Sequence, residues 1–372
     1  MQPLTGVRVV DFSTLLPGPL ATLILAEAGA EVIKIERPEG GDDMRRYAPA
    51  WGQDSAGFAL LNRGKRSVSA DLKNPESRNK VRELARDCDV LVEQFRPGVM
   101  ARLGLDFETL QTMNPRLVYC SISGYGQSGP RAGTAGHDLN YLAAAGMLAL
   151  GADRDGRPQL PAGLIADIGG GAYPAVMNIL LALRARDDNG CGCHLDISMT
   201  DNLMTWMVNG LADGFGGAAW PQPARGLLNG GSPRYQLYAT SDAQYIAAAP
   251  IEQKFWESFC DAIQLETEFR DDSTEPQRSI AAVTARIAQH PAAHWQRQFS
   301  GRDVCCTLMA TLQQAVEQLH ATGSELLRCE VKGFDGEQMP ALPVPLAPQW
   351  RGEEVDSYPP LGEANSEYFD NL

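Results

Sequence analysis

The sequence has no cysteine pair at the C-x-x-C spacing of zinc sites and redox motifs. Of its eight cysteines, Cys191 and Cys193 stand two apart and Cys305 and Cys306 are adjacent. Reduced, structural thiols are what that pattern supports. No run approaches the roughly 20 apolar residues needed to span a bilayer. Met1–Arg8 has neither the basic region nor the apolar stretch of a secretory signal. We therefore expect a cytoplasmic protein with no membrane partner. The G-x-G-x-x-G fingerprint is also missing. The loop after the first apolar run reads Ser13-Thr14-Leu15-Leu16-Pro17-Gly18-Pro19. Glu36, where a dinucleotide enzyme would hold a ribose, then reads as an ordinary strand-end residue, and no nicotinamide or flavin cofactor is expected. Net positive charge is lacking too: the formal net charge is −14, which argues against a nucleic-acid surface.

What is present is a chain of 372 residues, 44% apolar and 21% charged, the balance of a globular protein with room for about two domains. Its cations are unevenly placed. Residues 1–102 carry 15 lysines and arginines against 14 acids, whereas the remaining 270 carry 17 against 32. A local supply of cations in an acidic protein suits a small polyanionic ligand better than a polymer, although solvated surface gives the same pattern.

Strand-like runs at Val7–Val10, Val32–Ile35, Ser67–Ala70, Val90–Glu93 and Leu117–Ser121 alternate with helix-like stretches at Leu20–Ala28 and Glu76–Ala85. That alternation predicts an α/β fold, a Rossmann-like parallel sheet with helices on both faces. Helical patterns follow over Asp138–Leu150, from Gly169 to about Arg186, and from Met199 to about Leu211, with a strand at His194–Ile197 before the last. The stretch Gly210–Gly231 holds seven glycines and two prolines and reads as a boundary. Beyond it, Tyr235–Ala239 and Tyr245–Ala249 read as a hairpin followed by helices near Lys254–Ile263 and Ala292–Phe299. The expected organisation is a large domain over residues 1–209, a linker over 210–234, a smaller α+β domain over 235–310, and a helix and Pro-rich tail over 311–372 that return to the large domain.

Four constellations carry chemistry. The first combines Lys34-Ile35-Glu36-Arg37-Pro38 with Asn62-Arg63-Gly64-Lys65-Arg66-Ser67 and Glu93-Gln94-Phe95-Arg96-Pro97-Gly98. Each sets a cation at or near a strand end, where open α/β sheets bind ligands and arginine can grip phosphate bidentately. Singly, each is ordinary surface charge; three in one layer point to an anion site. The second is Gly136-His137-Asp138-Leu139-Asn140-Tyr141 at a helix head, where a histidine is either structural or a proton carrier near neutrality. The third is Ala166-Asp167-Ile168-Gly169-Gly170-Gly171. Asp167 reads equally as a helix N-cap. Three glycines weaken a helix start, so something should compensate, and they would admit a ligand close to backbone N–H groups. The fourth is Gly230-Gly231-Ser232-Pro233-Arg234-Tyr235 with Ile251-Glu252-Gln253-Lys254-Phe255-Trp256, a hairpin and a helix cap on its plainest reading.

Together these resemble the class III CoA-transferase family along most of the chain, with the α-methylacyl-CoA racemase branch nearest. Val9-Val10-Asp11-Phe12-Ser13, Arg63-Gly64-Lys65-Arg66-Ser67, Arg96-Pro97-Gly98-Val99-Met100 and Ser123-Gly124-Tyr125-Gly126-Gln127-Ser128-Gly129 are the general marks, and Gly136-His137-Asp138-Leu139-Asn140-Tyr141 the racemase mark. Asp303-Val304-Cys305-Cys306-Thr307-Leu308 is similar to a later Asp-x-Cys-x-x-Pro element, with Leu308 in place of the proline. The resemblance implies His137 and Asp167 as catalytic bases, Glu252 supporting the histidine and Tyr235 nearby. It implies Arg37, Arg63, Lys65, Arg66 and Arg96 in the CoA-binding region, with Gly136, Tyr141 and Gly169 also at the substrate. It further implies an interlocked homodimer whose active sites lie between the large domain of one subunit and the small domain of the other.

The implied reaction inverts the α-carbon of a 2-methylacyl-CoA thioester. One group removes the α-proton from one face and a second returns one to the other. Histidine serves either role near neutrality, whereas an aspartate of ordinary pKa, about 3.9, is a poor acid there, so its surroundings are expected to raise it. The enolate formed between the steps is expected to rest on backbone N–H groups at Asp167, Ile168 and Gly169. No metal or separate cofactor is called for, coenzyme A being part of the substrate. The alternative is a true CoA-transferase with Asp167 as nucleophile, which would not require His137. A non-catalytic CoA-binding protein would bind such esters and turn none over.

Overall fold

The computed structural model describes residues 2–217, 219–324, 329–334, 336–352 and 356–369. It divides into two units, Met1–Ala145 with Pro161–Trp206 and Leu319–Leu372, and Gly146–Leu160 with Met207–Gln318.

The first unit is built on six strands, β1 (Arg8–Asp11), β2 (Glu31–Glu36), β3 (Arg66–Ser69), β4 (Val90–Glu93), β5 (Val118–Ser123) and β6 (Cys193–Ser198). They are parallel throughout and stand in the order β3-β2-β1-β4-β5-β6. This is the doubly wound order, whose switch point lies between β1 and β4. The central strands are buried on both faces, which is why they read as unbroken apolar runs. Helix α1 (Pro17–Glu27) starts on proline and is buried nearly all round, with Leu20, Leu23, Ile24 and Leu25 in the core. Its exit needs Gly29 at φ +101, where a Cβ would lie 2.6 Å from Gln2 Cβ. Helix α2 (Ala56–Asn62) is capped by Ser55, whose hydroxyl accepts the Phe58 N–H at 3.0 Å. Asn74 caps α3 (Pro75–Arg86) in the same way through the Glu76 N–H at 2.8 Å.

The single helix expected over Asp138–Leu150 is two short ones, α4 (Asp138–Ala144) and a turn at Met147–Leu150, because Gly146 takes φ +80. The helix expected from Gly169 begins three residues earlier, as a π-helical stretch Ala166–Ala172, and runs on as α5 (Tyr173–Asn189). Joined, they make 24 residues that are apolar enough in composition to cross a membrane. This corrects the expectation that no stretch approaches that length. Within the fold 61% of its most apolar part is buried, the condition of a core helix.

The tail closes the open edge of the sheet. Asn365 accepts the Ser69 N–H at 2.8 Å and donates to Ser69 O at 3.1 Å. Glu363 accepts the Ser67 N–H at 3.1 Å, and the Ala364 N–H donates to Ser67 O at 3.0 Å. Ala364, Tyr368 and Phe369 then join the core, so the edge strand offers no unpaired row.

The second unit has a three-stranded antiparallel sheet, β7 (Gln236–Ala239), β8 (Tyr245–Ala248) and β9 (Cys306–Leu308), in the order β9-β8-β7. Helices α6 (Gln253–Ile263), α7 (Pro276–Ile287) and α8 (Ala292–Phe299) bury Trp256, Phe259, Ile263, Val283, Ile287 and Trp295 against Tyr238 and Ile246. The expected hairpin is present; β9 and α7 are additions to the sequence reading. The Gly-rich stretch opens helically, at Val208–Gly216.

Candidate active site

Asp138 organises the candidate site in the first unit. It opens α4, is 6% exposed, and accepts two backbone N–H groups, from Ala166 at 2.7 Å and from Asp167 at 2.9 Å. It therefore does the capping that the sequence offered to Asp167. Asp167 sits inside the π-helical turn, and among the described residues its carboxylate has no hydrogen-bond donor. Burial, and then the Asp138 charge, push it up to about 6. His137, exposed at the N-cap of α4, is held by its backbone: its N–H donates to Asn140 Oδ1 at 3.0 Å. The motif thus brings His137 and Asp167 to the two ends of one short hydrogen-bonded link.

Tyr141 closes one side. Its hydroxyl donates to Gly136 O at 2.5 Å, and its ring lies where a Cβ on Gly124 or Gly136 would go, 2.3 and 2.7 Å from Cε1. Burial and the Asp167 charge raise its phenol to about 12, and the Arg96 guanidinium works the other way. Arg96, Tyr141 and Asp167 therefore share one electrostatic neighbourhood.

The three glycines are explained by protein packing. A Cβ on Gly169 would stand 2.3 Å from Trp206 Cζ2, one on Gly170 2.3 Å from Met199 O, and one on Gly171 3.1 Å from Pro17 Cβ. Two of the three expected oxyanion donors are likewise occupied, the Asp167 N–H by Asp138 and the Ile168 N–H by Leu164 O at 3.1 Å. Both groups are spent inside the chain, one on the Asp138 side chain and one on a carbonyl four residues back, which corrects the oxyanion expectation for Asp167 and Ile168.

The five cations separate. Arg63 is 2% exposed and donates to Glu27 at 2.7 Å, Leu60 O at 2.9 Å and Leu342 O at 2.8 Å. Lys65 is 3% exposed, bonded to Pro19 O, Thr22, Asn62 and, at 3.4 Å, Asp11; burial lowers it to about 7. Lys34, fully buried beside it in the sheet, is bonded to Ser13 O at 2.6 Å and paired with Asp42 at 3.0 Å. These charges fill the place near the switch point where many doubly wound folds take a ligand. Glu36 accepts from Arg45 at 2.7 and 2.8 Å and ends its strand as a structural residue. Arg66 pairs with Glu363 and Glu367, and Arg37 with Asp43. Arg96 is exposed and has no side-chain partner among the described residues.

In the second unit, Tyr235 lines a mostly apolar hollow of about 360 Å³ with Leu228, Leu237 and Ala247. Glu252 is the N-cap residue of α6, exposed, and its side chain makes no cap hydrogen bond. Sequence reasoning missed the role of Asp138, although its place beside a histidine in a first helical turn was a usable signal. It also missed Trp206, which no local pattern marks.

The model of CoA-transferase family III matches residues 4–365. Human α-methylacyl-CoA racemase is 35% identical over 85% of this chain and 80% of its own. Acetyl-CoA:oxalate CoA-transferase of Acetobacter aceti is 36% identical over 79% of this chain and 77% of its own. The crystal structure of a CAIB/BAIF family protein from Brucella suis superposes with a TM-score of 0.81 at 27% identity, over 100% of this chain and 99% of that one.

Proposed function

The chain belongs to CoA-transferase family III, and we propose that it is the racemase kind of enzyme in that family, inverting the α-carbon of 2-methylacyl-CoA thioesters with His137 and Asp167 as the two bases. The observation that carries this reading is the half-buried Asp167 carboxylate, without a donor among the described residues beside the Asp138 bonds, where burial raises it to about 6. A carboxyl at its ordinary value could take the α-proton but would return it poorly at neutral pH. One raised to about 6 can return a proton near neutrality as well as take one. The Asp138 link supports this, because it ties the backbone of Asp167 to the residue beside His137. Such a proton relay needs no metal and no redox group.

CoA recognition falls first to Arg96, whose guanidinium is uncommitted among the described residues and acts on Tyr141, a neighbour of Asp167. Glu252 and Tyr235 are carried over as the histidine's support and its neighbour. A homodimer accompanies the reading. It is supported by the exposed apolar face of α5, Tyr173, Met177, Leu180 and Leu181, the last 62% exposed. Light scattering tests it; a fully active monomer counts against it.

The second reading, a CoA-transferase using Asp167 as nucleophile, draws support from the transferase relative, 36% identical against 35% for the racemase. One experiment divides the two: a single enantiomer of a 2-methylacyl-CoA in deuterium oxide, with no acceptor acid. Deuterium entering the α-position with loss of chirality supports the racemase. If no deuterium enters for several chain types while added free acids receive CoA, the racemase reading is wrong.

A further inference from the structure

We infer that Arg234 is a positioning residue, its guanidinium tying the carbonyl before Glu252 and the side chain after it and so setting where that carboxylate points. All the groups involved lie within the second unit. Arg234 directly precedes Tyr235. Its own N–H donates to Ser232 Oγ at 3.1 Å, and the next link back, Pro233 O, accepts the buried Tyr238 hydroxyl at 2.8 Å, so its backbone is tied to β7. From that anchor the guanidinium reaches three targets. Nε and Nη2 donate to the Asp272 carboxylate at 3.0 and 2.7 Å. Nη1 donates to Ile251 O at 3.2 Å, and Nη2 also to Gln253 Oε1 at 2.9 Å. The group stands over the buried Trp256 ring, 5.2 Å from its centroid, and that indole is itself fixed through Nε1 to Arg270 O at 2.7 Å.

Ile251 and Gln253 are the two neighbours of Glu252. One charged group therefore holds the residue before and the residue after it, while Glu252 is left out of the network. Glutamate is a weak choice at an N-cap. Here it neither caps the helix nor pairs with a cation among the described residues. A carboxylate that does nothing for its own helix, between a carbonyl held at Ile251 and a side chain held at Gln253, is suited to work on something beyond that helix. The clamp demands arginine. Lysine can keep a charge beside Asp272, but it has no planar fork with which to reach Ile251 O and Gln253 together.

This inference rests on the reading in which Glu252 supports His137, and the experiment separates the two. Deuterium incorporation from a pure 2-methylacyl-CoA is followed as kcat, KM and pH profile for Glu252→Gln, Arg234→Met, Arg234→Lys and the double variant Glu252→Gln/Arg234→Met. Misplacing a catalytic group by about 1 Å costs on the order of 10²-fold. We expect Arg234→Met and Arg234→Lys each to lower kcat roughly 10- to 100-fold with KM nearly unchanged, and to shift the pH profile in the same direction as Glu252→Gln. In the double variant Arg234→Met should add little further loss, since both changes act through one carboxylate. Arg234→Lys keeps a cation beside Asp272 and stands in where Arg234→Met does not fold. If Glu252→Gln slows the enzyme while Arg234→Lys retains wild-type kcat and pH profile, the inference is overturned and the reading of Glu252 stands. Fully multiplicative losses in the double variant also overturn it. Full activity of Glu252→Gln overturns the reading and the inference with it.

Discussion

Replacing Asp167 by asparagine tests the origin of its raised pKa through stability. The folded carboxyl ionises at about 6, against an ordinary value of 3.8. A folded pKa above the unfolded one means that the folded chain holds the proton more tightly. The associated stability is full below about pH 3.8, falls as pH rises, and levels off above about pH 6. Roughly two pKa units at 1.36 kcal/mol each make a plateau cost of ~3 kcal/mol, about half of it present by pH 5. Asparagine has the same shape and carries no charge at any of these pH values. It also leaves intact the backbone N–H bond from residue 167 to Asp138. Urea unfolding of both proteins at equal concentration should therefore show the variant ahead by under ~1 kcal/mol at pH 4 and by ~3 kcal/mol at pH 8, while racemisation is lost. Curves that stay parallel across this range, or a variant weaker at pH 8, would refute the argument that burial raises this carboxyl.

Lys65→Met takes one of two buried cations from Asp11 and leaves Pro19 O and Asn62 without their buried donor. It should cost ~3–5 kcal/mol in urea unfolding; a stable variant with specifically weakened CoA binding would return Lys65 to the ligand. Arg96→Gln should leave unfolding within ~0.5 kcal/mol yet weaken CoA binding by about 10- to 100-fold in calorimetry, the weight of charge-assisted bonds worth ~1.5–3 kcal/mol. Gly170→Ala drives a Cβ to 2.3 Å from the Met199 carbonyl, which is backbone, whereas Gly169→Ala meets Trp206, a side chain 55% exposed and able to turn aside. Thermal melts should place Gly170→Ala well below Gly169→Ala, by ~1–3 kcal/mol of overpacking; the reverse order would refute it.

Elements whose apolar runs sit between clear turn signals were legible: Val90–Glu93 and Ala292–Phe299 stand in the structure as the sequence predicts. Strand β9 is three residues long and exists by pairing Ile246–Ala248 with a partner about 60 positions away, which no local pattern announces. Helix α7 hides its apolar face among Gln277, Arg278, Thr284 and Arg286. The cations were legible in position but not in direction. Arg63 and Lys65 turn inward because Glu27 and Asp11 wait there, and those partners are 36 and 54 residues distant. His137 and Asp167 were visible as motifs. The capping of Asp167's turn by Asp138, 29 residues earlier, depends on the fold.

The strap of Glu363 and Asn365 on β3 bears on how the protein is made. Ser69 and Asn365 are 296 residues apart in the chain. At translation rates of about 5–20 residues per second, the edge they share stays uncovered for roughly 15–60 s after β3 leaves the ribosome. The strands of the second unit emerge during that interval, next to an open row of backbone donors and acceptors. A chain truncated before Glu363 lacks that cover and should aggregate through its β3 edge more readily than the full chain.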